Sequence, residues 1–125
     1  MGITLSARDR TVAPFFVSFW HWGAIVEAVR RLDIVPSQVV DGLREPFTGS
    51  GLTEKQAHNV ASAITRELLP NLHADARLLL DGTITEDPDD GTFHRIDVEK
   101  NYSTSRKVLD EFAAFCRACA GFDVG

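Results

Sequence analysis

The stretch SFWHWGAIVEAVRR, Ser18–Arg31, sets four ring-bearing side chains side by side and then continues as a one-sided apolar stripe. Its apolar residues recur at spacings of three and four, the period of an amphipathic helix: Phe19, Trp22, Val26 and Val29. Pro14 suits the first turn of such a helix, and Pro36 marks the break after it. We therefore predict a helix over residues 15–33.

Only part of this ring-rich run can face the core, because successive residues of a helix point about 100° apart. Phe19 and Trp22 lie on the apolar stripe, whereas Trp20 and His21 lie off it. Trp20 is therefore either covered by another segment or exposed as an anchor for a partner. Gly23 follows at once, and a glycine inside a helix costs about 1 kcal/mol relative to alanine, which predicts close approach of another backbone.

Further helical signals follow along the chain. Thr53 and Gln56 form a capping box that opens a helix over residues 53–69, and a strong apolar face predicts a last helix over residues 103–119. Ser37 is suited to cap a short helix between the first two. We expect the three long helices to share one core that buries Phe19, Trp22, Val26, Ile64, Phe112 and Phe115.

The fold class predicted from these patterns is mainly α, with α+β as the alternative. A chain of 125 residues fits a single compact helical domain, residues 1–125, in which residues 1–13 need not be ordered. Within 82–98 the segments TIT and TFHRI could pair across EDPDDG as a small β-hairpin. Residues 73–82 fit a short helix or a buried strand equally well.

The acidic charge is concentrated in one segment. Six of the 18 acidic residues and one of the 13 basic residues lie within 86–99, which leaves twelve of each sign elsewhere, so this segment carries the whole net charge of −5. Asp, Pro and Gly are also what a solvated turn requires, and that interpretation stays open. The alternative is an acidic surface that attracts a basic protein and disfavours nucleic acid. Its acids are Glu86, Asp87, Asp89, Asp90, Asp97 and Glu99.

The two cysteines form the motif Cys116-Arg-Ala-Cys119 near the predicted end of the last helix. A thioredoxin-type pair sits instead at a helix N-terminus, where the dipole lowers the thiol pKa, and structural zinc would need two further ligands. We therefore predict packing residues, no bound metal and no cofactor. With no secretory signal and no apolar run long enough for a membrane span, a reducing cytoplasm is the expected location.

The chain carries none of the common catalytic motifs, so no catalytic residue is assigned. Two alternatives to a binding module stay open. A small enzyme could use a site near His94 and Asp97, on the predicted hairpin. A helical ligand- or metal-binding protein could use Trp20, His21 or the cysteine pair.

Three stretches together resemble a group of small uncharacterised bacterial proteins: FWHWGAIVEAV near the N-terminus, GLTEKQAHNVASAI in the middle and FAAFCRACAGFDV at the end. In that group an aromatic W-x-W start, an LT-led helix and a cysteine-containing ending before a double glycine recur. Here Ala120 replaces the first of those glycines. Some members look like immunity partners of secreted bacterial toxins. The resemblance implies no functional residue.

The function predicted is that of a small acidic cytoplasmic protein-binding module, of which an immunity-type inhibitor is one kind. It would dock on a basic protein partner through segment 86–99, with Trp20 as a contact ring, and not on a membrane.

Overall fold

The computed structural model describes residues 2–45, 50–87 and 95–124 and shows an α+β fold. The strands and helices are β1 (Gly2–Ala7), β2 (Phe15–Ser18), α1 (Phe19–Leu32), α2 (Ser37–Arg44), β3 (Gly51–Thr53), α3 (Glu54–Ala63), β4 (Arg77–Leu79), β5 (Ile84–Thr85), β6 (Ser103–Ser105), α4 (Arg106–Ala118) and β7 (Gly121–Val124). A π-helical turn, Ile64–Leu68, and a 3-10 turn, Leu69–Asn71, continue α3, and a 3-10 turn, Val98–Asn101, leads towards β6.

Two antiparallel sheets frame the helices. The larger has the strand order β2-β1-β7-β3, in which Leu5 of β1 stands opposite Phe15 on one side and Val124 on the other. The smaller has the order β5-β4-β6. Because β1 and β7 are the first and last strands of the described chain, their pairing brings distant parts of the sequence together in the larger sheet. Residues 1–13, which the sequence suggested could be flexible, contain β1.

One cluster of buried residues joins the larger sheet to α1, α3 and α4. Trp22 and Phe112 lie at its centre with ring centroids 5.8 Å apart. The indole N–H of Trp22 donates to the carbonyl oxygen of Leu43 at 2.8 Å, so the buried polar atom of this side chain has a partner. The buried residues of the predicted core are confirmed as Trp22, Val26, Ile64, Phe112 and Phe115.

The mainly α prediction is wrong, and the α+β alternative is correct. Strands occupy segments that had been assigned to helices, because each is only a few residues long and is defined by a distant partner rather than by local periodicity. Phe15–Ser18 pairs with β1 as a strand, so the first helix begins at Phe19 and not at residue 15. Ser103–Ser105 pairs with β4, and the last helix begins at Arg106.

The hairpin expected within 82–98 lies only partly on described residues. Ile84–Thr85 does form a strand, but its partner is β4, with Leu78 opposite Ile84. Residues 92–94 of the proposed second strand lie outside the described residues. For 73–82 the strand interpretation holds, since Arg77–Leu79 forms the centre of the smaller sheet. Each of these strands has two or three residues, too few to show a period of two.

Phe19 was expected in the core, but its side chain is 37% exposed. It occupies the first position of α1, directly after the strand, where the chain is still at the edge of the core. None of the helices in the described ranges is both long enough and apolar enough to cross a membrane.

Candidate partner-binding surface

At the start of α1, the consecutive ring-bearing side chains differ in burial: some face the core and others face the solvent. Strand β2 passes into α1 without a loop, and the Ser18 hydroxyl accepts a 3.3 Å hydrogen bond from the backbone N–H of His21, which caps the helix. Trp22 is 1% exposed, whereas Phe19 and Trp20 are each 37% exposed. These ring-bearing side chains therefore do not enclose a pocket, and only some of them belong to the core.

Tyr102 completes a cluster of three rings on the surface. Its ring centroid lies 5.0 Å from that of Trp20 and 5.9 Å from that of Phe19, and the Phe19 and Trp20 centroids are 5.8 Å apart. The Trp20 ring meets both neighbours edge to face, which is the arrangement aromatic pairs prefer. Phe19, Trp20 and Tyr102 are called the aromatic cluster below.

Arg44 and Gly23 fix the position of Tyr102. The Arg44 guanidinium carbon lies 5.0 Å from the centroid of the Tyr102 ring, and its Nη1 donates to the carbonyl oxygen of Gly23 at 3.3 Å. A Cβ atom at Gly23 would overlap the Tyr102 ring. The glycine therefore does mark a close approach, but the neighbour is an aromatic ring and not the backbone that the sequence had suggested.

His21 joins the same region to the smaller sheet. Its Nδ1 is hydrogen-bonded to the hydroxyl oxygen of Thr104 at 3.0 Å, and Thr104 is 1% exposed. This bond links the first turn of α1 to β6, two residues beyond Tyr102. His21 therefore connects α1, which carries Phe19 and Trp20, to the strand that directly follows Tyr102.

The described acids of segment 86–99 are exposed: Glu86, Asp87, Asp97 and Glu99. Arg77 holds the beginning of the segment near β6, since its Nε donates to the carbonyl oxygen of Asp87 at 3.0 Å and its Nη1 to the Ser103 hydroxyl at 3.2 Å. At the other end, the backbone N–H of Tyr102 donates to the carbonyl oxygen of Glu99 at 3.2 Å. The aromatic cluster therefore adjoins the acidic segment in space.

Two apolar side chains alternate with the acids at the end of this segment. Ile96 is fully exposed and Val98 is 43% exposed. Asp89, Asp90 and His94 lie outside the described residues, so the proposed enzyme site near His94 and Asp97 has no described geometry.

Tyr102 and Arg44 were not identified from the sequence, because neither residue belongs to a periodic pattern or to a motif.

The cysteines occupy the buried side of α4 and its C-terminal turn. Cys116 and Cys119 are free thiols and both are fully buried. Burial is the main cause that raises the pKa of each thiol, and the neighbouring cysteine adds to this effect at Cys116. Among the described residues no group of three or more His, Cys, Asp or Glu side chains could hold a metal ion.

The raised pKa of Cys116 predicts a loss of stability at high pH. Above the ordinary thiol pKa of about 8.5 the unfolded chain releases a proton that the native protein retains, so the free energy of unfolding falls by up to about 1.4 kcal/mol for each further pH unit. Chemical unfolding of the wild type and of Cys116→Ala is measured between pH 7 and pH 10. The difference between their free energies of unfolding should shrink as the pH rises. A constant difference would contradict a protonated, buried thiol.

No family model, curated protein or solved structure matches the chain.

Proposed function

We propose that the chain is a protein-binding module that docks on a basic protein through the aromatic cluster and the acidic residues beside it. The observation that supports this most strongly is their adjacency. Tyr102 packs against the exposed Trp20 ring, and its backbone N–H is bonded to Glu99, an acid of the segment that carries the net charge. Apolar rings bordered by charge are the usual composition of a protein interface, with an apolar centre and a polar rim.

The rings are suited to act as the anchor of that interface. Trp and Tyr are enriched among residues that dominate binding energy. Trp20 is already held between Phe19 and Tyr102, and Arg44 holds Tyr102 from another side. A ring that is immobilised before binding loses less conformational entropy when a partner covers it.

The acidic residues determine which kind of protein this surface attracts. Twelve acidic and twelve basic residues balance over the rest of the chain, so segment 86–99 carries the whole net charge and gives rise to a negative field. Such a field speeds the approach of a basic protein and opposes the approach of a phosphate backbone or an anionic membrane surface. The two free thiols agree with a cytoplasmic setting, since reducing compartments keep cysteines unpaired.

Substituting Trp20 with alanine is expected to weaken partner binding by about 30-fold or more, because a central aromatic anchor is worth about 2 kcal/mol or more. Proteins captured from the native host by the wild-type chain are identified, and each is then measured with purified wild type and Trp20→Ala. Ile34→Ala is the matched control, since Ile34 is also 37% exposed but follows the opposite end of α1. It should leave binding unchanged.

The acidic part is tested with the same purified partner. The variant Glu86→Gln/Asp87→Asn/Glu99→Gln should associate more slowly than wild type and show a weaker dependence of the association rate on salt. Asp75→Asn/Asp110→Asn/Glu111→Gln removes the same charge from exposed positions elsewhere and should change the rate less. An acidic captured protein, or equal effects of the two triple variants, would contradict the proposal.

An immunity-type inhibitor is the specific form of this module that the sequence resemblance favours. Its partner would be a basic toxin encoded by a neighbouring reading frame, and the chain would inhibit it on binding. Co-expression of the two proteins tests this: wild type should restore growth and Trp20→Ala should not. Failure of wild type to protect would remove the immunity role.

A further inference from the structure

A groove lies at the opposite end of α1 from the aromatic cluster. Residue 31 is eleven positions beyond Trp20 along α1, which at about 1.5 Å per residue separates the two regions by roughly 16 Å. The groove has a volume of about 350 Å³, which falls within the range of small-molecule sites. Apolar side chains of α1, β4, β5 and the turns after α3 line it: Ala28, Leu32, Leu68, Leu72, Leu78 and Ile84.

Arg31 is held on one side of this groove. Its Nη1 donates to the carbonyl oxygen of Leu80 at 2.8 Å, which ties the side chain to the turn between β4 and β5. Gly82 in that turn has a φ of 90°, and a Cβ there would lie 2.8 Å from Arg31 Nε. The turn therefore leaves room for the guanidinium at a position where other residues would be strained.

Glu67 and Asn71 line another part of the groove from the turns after α3. Glu67 lies in the π-helical turn, whose geometry is shown by the hydrogen bond from Leu69 N–H to the carbonyl oxygen of Ile64. The Asn71 side-chain amide nitrogen donates to the Glu67 carbonyl oxygen at 3.0 Å, and the side-chain oxygen of the same amide is a hydrogen-bond acceptor. Isolated π turns occur frequently at functional sites.

The groove thus combines an apolar lining with one cationic and one anionic side chain. Among the described ranges 2–45, 50–87 and 95–124, neither Arg31 nor Glu67 takes part in an ion pair. Asp81 offsets part of the Arg31 charge, but its carboxylate accepts a 2.9 Å hydrogen bond from the Thr83 N–H. Arg31 and Glu67 are both exposed, so a ligand in the groove can reach each charge.

We propose that this groove binds a free α-amino acid with an apolar side chain. Arg31 would receive the carboxylate, Glu67 would receive the ammonium group with Asn71 as a further acceptor, and the leucine-rich lining would cover the side chain. A fatty acid would satisfy Arg31 alone and an alkylamine Glu67 alone. Only a zwitterion pairs both charges while it buries an apolar group, and the site is independent of the proposed docking surface.

The test uses L-leucine as the probe, with chemical shifts of the full chain followed by NMR at concentrations up to about 10 mM. Leucinamide lacks the carboxylate and 4-methylpentanoate lacks the ammonium group. We expect wild type to bind leucine about tenfold or more tightly than either analogue, because each removes a charge-assisted hydrogen bond. Arg31→Gln should lose the preference over leucinamide, and Glu67→Gln the preference over 4-methylpentanoate.

Arg66→Gln is the control, because Arg66 lies in the same π-helical turn but does not line the groove. It should bind leucine as wild type does, and unfolding curves of all three variants show whether each is folded. No binding of leucine by wild type would overturn the proposal. An equal affinity for leucine and its two analogues would overturn it as well, as would variants that keep both preferences.

Discussion

Replacing Phe112 with alanine is expected to lower the free energy of unfolding by about 3–5 kcal/mol. The Phe112 side chain is fully buried. Its ring centroid lies 5.9 Å from that of Phe15, 5.8 Å from that of Trp22 and 6.3 Å from that of Phe122. These neighbours belong to β2, α1 and β7, so the cavity left by the substitution would separate α4 from three elements at once.

Phe16→Ala is the matched control, because the Phe16 side chain is 70% exposed although it stands next to Phe15 in the same strand. It should change the free energy of unfolding by no more than about 0.5 kcal/mol. Both variants are measured by chemical unfolding against wild type. A loss below about 1 kcal/mol for Phe112→Ala, or similar losses for both variants, would contradict a core centred on α4.

The helices were largely predictable because their signals are local. The apolar stripe of α1 recurs within fourteen residues, and the capping box of Thr53 and Gln56 is present as predicted, with both hydrogen bonds formed. The apolar face of α4 is likewise continuous in sequence, and Ser105 caps its first turn. A helix buries one face over several turns, so a single stretch of sequence contains most of the information that specifies it.

The sheets were not predictable in the same way. Strand β7 lies between β1 and β3, and Leu5 of β1 meets Val124 from the other end of the chain. No property of GITLSA or GFDV alone identifies that partner. At the end of α4 the chain turns into β7 through Ala120, which adopts a left-handed φ of 57°. Glycine adopts that conformation with less strain than alanine does.

The candidate surface was predictable only in part. The helical period alone placed Trp20 off the core stripe, and the structure shows it partly exposed. The period could not show that Tyr102 would pack against Trp20, since their contact depends on the hydrogen bond between His21 and β6, the strand that directly follows Tyr102.

Gly51→Ala is expected to lower the free energy of unfolding by about 3 kcal/mol, the upper part of the range for overpacking. Gly51 stands opposite Asp123 in the ladder between β3 and β7. A Cβ at this position would overlap the carbonyl oxygen of Phe122 and lie 3.0 Å from the Asp123 Cα. Both neighbours are backbone atoms, so the overlap can be relieved only if β3 moves away from β7.

Gly23→Ala provides the comparison, because the atoms nearest to its added Cβ would belong to the Tyr102 and Arg44 side chains. Displacement of the Tyr102 ring lowers the free energy of unfolding, whereas the higher helix propensity of alanine raises it by about 1 kcal/mol. The net change in the free energy of unfolding should therefore be small. Chemical unfolding gives the two free energies, and amide hydrogen exchange locates the damage. In Gly51→Ala the Val124 N–H, which donates to the Ser50 carbonyl oxygen at 2.9 Å, should lose protection. Unchanged protection at Val124 together with wild-type stability would show that β3 does not approach β7 this closely.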